Sequence, residues 1–293
     1  MCQWAVVSRA SFYRDWVATV PTEAEMSLRD AIQKLALQYR FYGYRRITAL
    51  LAREGLAVGV KVVRRLMRAD NLLAIRRRKF KITTDSDHPF QVVTNRAESL
   101  TLTAIDQLWV ADFTYIRLGQ EFVFLAVVLD AFSRRVLGWA LSREMDAALP
   151  LLALERALAH RQPPRGWMHH SDRGTQYACA AYVKRLEEAG AVLSMSRPAS
   201  PWENGRCESF IKTLKFEQLN AQRFSCLAEL NTSIEEFIED FYNPKRLHSA
   251  LGYLSPLEFE QAQVRPQSPP PQPAALSFLR HEEIYPNAPT PER

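Results

Sequence analysis

The sequence predicts an α/β layered domain on a mixed sheet, preceded by a small all-α domain of helix-turn-helix outline. Three observations predict it. From Leu108 onward, three β-rich runs follow one another closely, and then helical and strand-like segments alternate. Before residue 73, apolar residues recur at helical spacing and glycines punctuate them. Charge divides the chain at the same place. Residues 1–81 hold 17 Lys/Arg and 6 Asp/Glu, a net of +11, while the remainder hold 21 and 26, a net of −5.

Within residues 27–73, Leu28, Ile32, Leu35 and Ala36 fall on one helical stripe, and Gly43 interrupts it. Ile47, Leu50 and Leu51 resume the pattern up to Gly55, a helix stop. Val62, Val63, Leu66 and Met67 form one face of a following helix, with Arg64, Arg65 and Arg68 mostly on the other. Two short helices, a Gly-containing turn and a basic second helix make a helix-turn-helix outline. A basic module of this kind points to nucleic acid, and "RRRKF" at 76–80 adds Arg76, Arg77 and Arg78 to its candidate phosphate contacts. We take residues 1–81 as this module and 82–99 as a linker.

"LWVADFTYIRL", "EFVFLAVVLDAF" and "RRVLGWAL" read as three strands of a meander, the last two parted by a turn at Ser133. Residues 146–160 read as a helix, "GWMHHSD" as a short strand, "TQYACAAYVKRLEEAG" as a helix closed by Gly190, and "AVLSMS" as a fifth strand. A helix starts at Gly205 with Cys207, Phe210, Ile211 and Leu214 on its apolar stripe, and another spans 225–242. Residues 263–293 form a Pro-rich tail of extended or disordered character.

Several classes are excluded. No apolar run approaches the ~20 residues needed to span a bilayer. The N-terminal stretch lacks the continuous apolar segment of a secretory signal. Four cysteines without a C-x-x-C spacing argue against a structural zinc or a disulfide framework and fit a reducing cytoplasm.

Three acids sit at the ends of the predicted elements: Asp112 inside an apolar strand, Asp172 after the fourth strand, and Glu208 on the helix from Gly205. A carboxylate in an apolar strand is costly unless it is paired or binds a cation. Three converging carboxylates would be stable mainly around hard cations, Mg²⁺ or Mn²⁺. A pair of such ions is what two-metal phosphoryl transfer requires. Fifty-nine residues separate Asp112 from Asp172, and 35 separate Asp172 from Glu208.

With that spacing, five ordered motifs carry a family resemblance: "WVADFTYI", "FLAVVLDAFSRRVLGWAL", "HHSDRGTQYACAAY", "SMSRPASPWENGRCESFIKTLKFE" and "FYNPKRLHSALGYLSPLEFE". Together with "GYRRITALLAREG" and "VVRRLMR", they cover residues 5–262. The chain resembles insertion-sequence transposases of the second-reading-frame type, in the retroviral-integrase superfamily. The resemblance implies an RNase H-like catalytic core over 100–262 with a five-stranded sheet. It implies metal-dependent cleavage of the element's ends and strand transfer by a 3′-hydroxyl. Asp112, Asp172 and Glu208 match the catalytic, metal-holding acids, and Lys212 and Lys215 match basic residues that touch the DNA end. The implied partners are the terminal inverted repeats, a target duplex, further copies of the chain and the upstream-frame product, in a bacterial cytoplasm at the nucleoid. The chain starts where the family's second frame starts, so the upstream frame's own helix-turn-helix is expected to be a separate contribution.

Duller readings compete at individual positions. Glu208 and Lys212 could be a plain i,i+4 pair worth a few tenths of a kcal/mol. Glu203 reads, with Asn204, as a helix cap. Adjacent His169 and His170 point to opposite faces of a strand and make no chelating pair, leaving His170 as a supporting or phosphate-contacting residue. Asp130 reads as a turn cap paired with Arg134 or Arg135. A non-catalytic DNA-binding regulator and a stand-alone ribonuclease are the rival functions. The intact acids argue against the first, and the basic module against the second.

Overall fold

The computed structural model describes residues 21–72, 74, 95–97, 100–172, 174–197 and 201–264, without the side chains of residues 201, 202, 221 and 264. The predicted contacts Arg76, Arg77 and Arg78, most of the 82–99 linker and nearly all of the tail lie outside the described residues.

Three helices open the described chain: α1 (Glu23–Gln38), α2 (Tyr44–Arg53) and α3 (Val60–Ala69). They bury one small core of Ile32, Leu35, Ile47, Leu51, Val63, Leu66 and Met67. Val62 departs from the expected stripe and is exposed. On a helix of ten residues, Val63, Leu66 and Met67 already fill the face toward α1 and α2. Leu247 belongs to the same core, and the Leu247 N–H donates to Tyr42 Oη at 2.9 Å. Arg53 grips Glu258 with two bonds of 3.0 and 2.9 Å. These contacts fasten the helical module to the end of the α/β domain.

The sheet holds β1 (Leu108–Leu118), β2 (Glu121–Asp130), β3 (Val136–Ser142), β4 (Met168–Ser171) and β5 (Val192–Met195), in the order β3-β2-β1-β4-β5. β1 is antiparallel to β2, and β2 to β3, while β4 and β5 run parallel to β1. This is the mixed, RNase H-like arrangement that the sequence predicts. The period of two explains why it is buried on both faces. Leu108, Val110, Ile116 and Leu118 face one core, and Trp109 and Ala111 face the other. The first face is covered by Cys207, Phe210, Ile211 and Leu214 of α6 (Gly205–Glu217) and by α7 (Leu227–Glu235). The second is covered by α4 (Ala148–His160) and α5 (Ala180–Glu188).

Two boundaries differ from expectation. The helix expected from residue 175 starts at Ala180, after a turn over 175–177. The helix expected through 225–242 changes to a π-helical stretch at Glu236–Tyr242. There Asn243 turns its side-chain amide onto Val136, accepting from its N–H and donating to its carbonyl, each at 3.0 Å. One element was not expected, α8 (Pro256–Val264). Its Glu260 accepts from Ser133 Oγ at 2.6 Å, Arg135 at 2.9 Å and Arg161 at 2.6 Å, tying α8 to the β2–β3 turn and the end of α4. Arg135 therefore pairs with Glu260 and not with Asp130. Asp130 caps the turn alone, accepting from the N–H groups of Phe132 and Ser133.

α4 lies directly on β3 because Gly138 has no side chain. A Cβ there would sit 2.2 Å from the Ala153 carbonyl oxygen and 2.6 Å from Ala157 N. Gly138→Ala is expected to destabilise the fold at or above the upper end of the ~1–3 kcal/mol typical of overpacking, read as a lowered denaturant midpoint. An unchanged midpoint would show that α4 shifts freely.

Candidate active site

β1 and β4 are adjacent and parallel, with Val110 level with His170. Two residues further on stand Asp112, within β1, and Asp172, one residue past the end of β4, beside strands that lie about 4.8 Å apart. Asp112 shares the pleat face of Val110, the face that α6 covers. α6 is pinned there at both ends. Asn204 Nδ2, just before its start, donates to the Ala111 carbonyl at 2.8 Å. Lys215 Nζ, in its last turn, donates to Thr114 Oγ1 at 2.6 Å. Glu208 lies in the first turn, on the side facing Asp112.

The electrostatics record this convergence. Burial, then the charge of Asp172, push the Asp112 carboxyl well above its usual range. Glu208 adds to the rise, while the Phe113 N–H and Lys215 oppose it. The same three acids raise the pKa of buried Cys207, after burial itself. Asp172 Oδ1 accepts from the Gly174 N–H at 3.0 Å, and a Cβ at Gly174 would come within 3.0 Å of that oxygen. Among the described residues, no three His, Cys, Asp or Glu side chains are gathered closely enough to hold an ion as they stand. Glu208 is turned along its own helix to Lys212.

Lys212 is thus an exposed partner of Glu208, at 61% side-chain exposure. Lys215 is half-buried, lying 4.9 Å from the Tyr115 ring centroid, and burial lowers its pKa although Asp112 opposes this. Arg64, Arg65 and Arg68 are exposed on α3, with Arg64 over the Tyr44 ring and Arg65 4.0 Å from Glu25. His170 is fully buried, with Nδ1 3.0 Å from Ser194 Oγ and Nε2 3.4 Å from Ser196 Oγ, and burial lowers its pKa to about 4. Ser196 donates to the Ser171 carbonyl at 3.1 Å, so His170 backs the strand end that carries Asp172. His169 faces the other way, 2.9 Å from Tyr182 Oη. Glu203 is not a cap. It takes Arg197 N and Nε at 2.7 and 2.6 Å, and Asn204 makes no capping bond.

Sequence reasoning missed Tyr177, whose buried hydroxyl has no hydrogen-bond partner among the described residues. Burial first, then Tyr182, Asp112 and Asp172, raise its pKa far above the usual value. Within "TQYACAAY" it reads only as an apolar helix position.

Integrase core domain models match residues 103–201 and 189–256, and an HTH-like domain model matches 23–80. The chain is 37% identical over 266 residues to the insertion element IS600 31 kDa protein of Shigella sonnei, covering 89% of this chain and 97% of that one. It is 36% identical over 221 residues to the transposase for insertion sequence element IS904 of Lactococcus lactis, covering 75% and 87%. The chain belongs to the insertion-sequence transposases. Transposase InsF of IS3A from Escherichia coli K12 is 36% identical over 220 residues, covering 75% of this transposase and 76% of InsF. Among solved structures, the transposase is similar to the HTLV-2 integrase catalytic core domain in complex with magnesium, at 15% identity and TM-score 0.45, covering 54% of this chain and 97% of that one. It is also similar to the Mos1 mariner transposase catalytic domain, at 18% identity and TM-score 0.38, covering 45% and 70%. The transposase is an enzyme of the polynucleotidyl transferase class with an HTH-type DNA-binding domain. No helix among its described residues is long and apolar enough to cross a membrane.

The raised Asp112 pKa has a measurable consequence for stability. Below the unfolded value of about 3.9 both states hold the proton, and the group contributes nothing. As pH rises from there to the raised folded value, the unfolded chain has released its proton and the folded chain has not. Stability falls across that interval and stays lowered above it. Asp112→Asn is therefore expected to raise the Tm of metal-free transposase at pH 7–8 by about 2 °C or more and to flatten the decline with pH. A Tm lowered at every pH would contradict the repulsion.

Proposed function

We propose that this transposase cuts the ends of its element and joins them to target DNA at one site formed by Asp112, Asp172 and Glu208. The observation that carries the reading is that Asp172, just past the end of β4, and Glu208, in the first turn of α6, both act on the Asp112 carboxyl of the adjacent parallel strand β1. The donor set is all oxygen, and its acids act on one another as like charges, which fits Mg²⁺ or Mn²⁺. Asp112, Asp172 and Glu208 would hold two such ions, which when bound supply activation of water or a 3′-hydroxyl and charge stabilisation at the leaving oxygen.

The chain's own groups do the rest. Asp112 and Asp172 are fixed by strand geometry and by the Phe113 and Gly174 N–H groups. Glu208 is the adjustable member: it would hold the cations in place of its present partner Lys212, which would leave Lys212 for a DNA phosphate. Lys215, anchored on Thr114 beside Tyr115, keeps a fixed positive charge next to Asp112. A DNA end lying there is oriented by these two ammonium groups. His170 supports the Asp172 strand end through Ser196 and Ser171. Residues 1–81 form the DNA-binding arm, with Arg64, Arg65, Arg68, Arg76, Arg77 and Arg78 making phosphate contacts, and 82–99 link it to the core over 100–262. Terminal inverted repeats and a target duplex are the substrates, and further copies of the chain and an upstream-frame product are the protein partners.

The deciding experiment compares two glutamates in the full chain. Glu208→Gln is expected to lower Mg²⁺- or Mn²⁺-dependent nicking and joining of a duplex end by about 10²-fold or more, the scale of losing one directly acting polar group, with DNA binding retained. Glu203→Gln is expected to keep most activity. The reverse ranking would overturn the assignment of Glu208.

For the arm, replacing Arg64, Arg65 and Arg68 together by Gln is expected to make log Kd less steep in log salt by roughly 0.9 for every phosphate that the arm no longer neutralises. A slope identical to wild type would give α3 another role.

A further inference from the structure

On the side of α6 turned away from Glu208 lies a cavity of about 360 Å³ at the seam between the helical module and the core. Four guanidiniums line it: Arg46 from α2, Arg134 from the β2–β3 turn, Arg206 from α6, and Arg246. Arg246 is neutralised by Glu217, with two bonds of 2.8 and 2.6 Å. Among the described residues, Arg46, Arg134 and Arg206 make no ion pair. Arg46 stacks over the Tyr42 ring, 5.0 Å from its centroid, and the carboxylate that it senses, Glu217, is already taken by Arg246. The carboxylate that Arg206 senses is Asp130, whose oxygens are already taken by the N–H groups of Asp106, Phe132 and Ser133. His248 adds no charge, since burial, then Arg246, Arg46 and Arg134, push its pKa far down. Arg134 is also held at φ +62°, a conformation that a non-glycine residue rarely adopts.

These guanidiniums come from separate elements and repel one another, Arg134 acting on Arg206 and Arg246 on Arg46, and an anion relieves the repulsion. Their planar forks suit the oxygens of a phosphate group. Position selects the source of that phosphate. At 100° per residue, Arg206, Ser209 and Thr213 lie across α6 from Glu208, Lys212 and Lys215. DNA held by both the HTH-type domain and the catalytic core must pass this seam. We propose that the cavity is a phosphodiester-binding pocket, in which Arg46, Arg134 and Arg206 grip the backbone of DNA crossing from one domain to the other. The inference rests on the reading that this transposase holds DNA with both domains.

The test uses the full chain in EDTA, so that no cleavage intervenes, and follows binding to a duplex by fluorescence anisotropy between 50 and 200 mM salt. The Arg134→Gln/Arg206→Gln double variant is expected to bind about tenfold more weakly at low salt. Its salt slope should be shallower by roughly 0.9 for each phosphate left without its arginine. Arg206→Lys, which keeps the charge, should restore most of its share. Arg143→Gln, which removes an exposed arginine paired with Glu121, should leave the slope unchanged. Should the double variant misfold, as judged by circular dichroism, exposed Arg206→Gln alone decides. A variant slope equal to wild type overturns the pocket while leaving DNA binding intact. A wild-type chain that fails to bind DNA overturns the underlying reading instead. Inorganic phosphate raising the Tm of wild type but not of the variant, with an unchanged DNA slope, would assign the cavity to a free anion and overturn the backbone proposal.

Discussion

Everything about the candidate site depends on how α6 lies across β1. The helix buries Cys207, Phe210, Ile211 and Leu214 against one face of the sheet, which sets its distance. Asn204 on the Ala111 carbonyl and Lys215 on Thr114 set its register along the strand. With those constraints, Glu208 in the first turn of the helix acts on the Asp112 carboxyl, although its side chain is turned to Lys212. Burying four apolar side chains is worth several kcal/mol. That packing holds the helix, and with it Glu208, beside β1.

The distribution of charge follows the same division of labour. In the scaffold, buried charges are compensated. Glu217 and Arg246, both almost fully buried, form a two-bond pair, and Glu260 is satisfied by Ser133, Arg135 and Arg161. Among the described residues, like charges gather on opposite sides of α6: Asp172 and Glu208 act on the Asp112 carboxyl, and guanidiniums line the cavity. A folded chain tolerates such a cluster where a ligand of opposite sign completes it. One cluster fits cations, the other a phosphate backbone.

Much of the fold was legible in the sequence. The bounds of β1 and the apolar stripe of α6 follow from periods of 2 and 3.6, because both elements bury a regular face. The local patterns put Asp112 on the first strand, Asp172 after the fourth and Glu208 on the helix from Gly205, but Asp112 stands within β1 and not at its end, and spacing alone could not set β4 beside β1. Less was legible where one side chain answers to a distant one. Glu203 reads as a cap beside Asn204, yet Arg197 holds it. Glu260 joins residues 99 to 127 positions earlier, which no local pattern records. The arginine cavity gathers residues 46, 134, 206 and 246 from four elements, and none of them is unusual in its own stretch of chain. Val62 misled because a stripe four residues wide is broader than the face a ten-residue helix buries.

The most direct test of the central claim is anomalous diffraction from Mn²⁺-loaded crystals of the full chain bound to a duplex end. The account predicts manganese peaks within about 2.2 Å of carboxylate oxygens of Asp112 and Asp172, with Glu208 released from Lys212 and joining them. Manganese bound away from these strands, or held by Glu203 while Glu208 stays on Lys212, would contradict it.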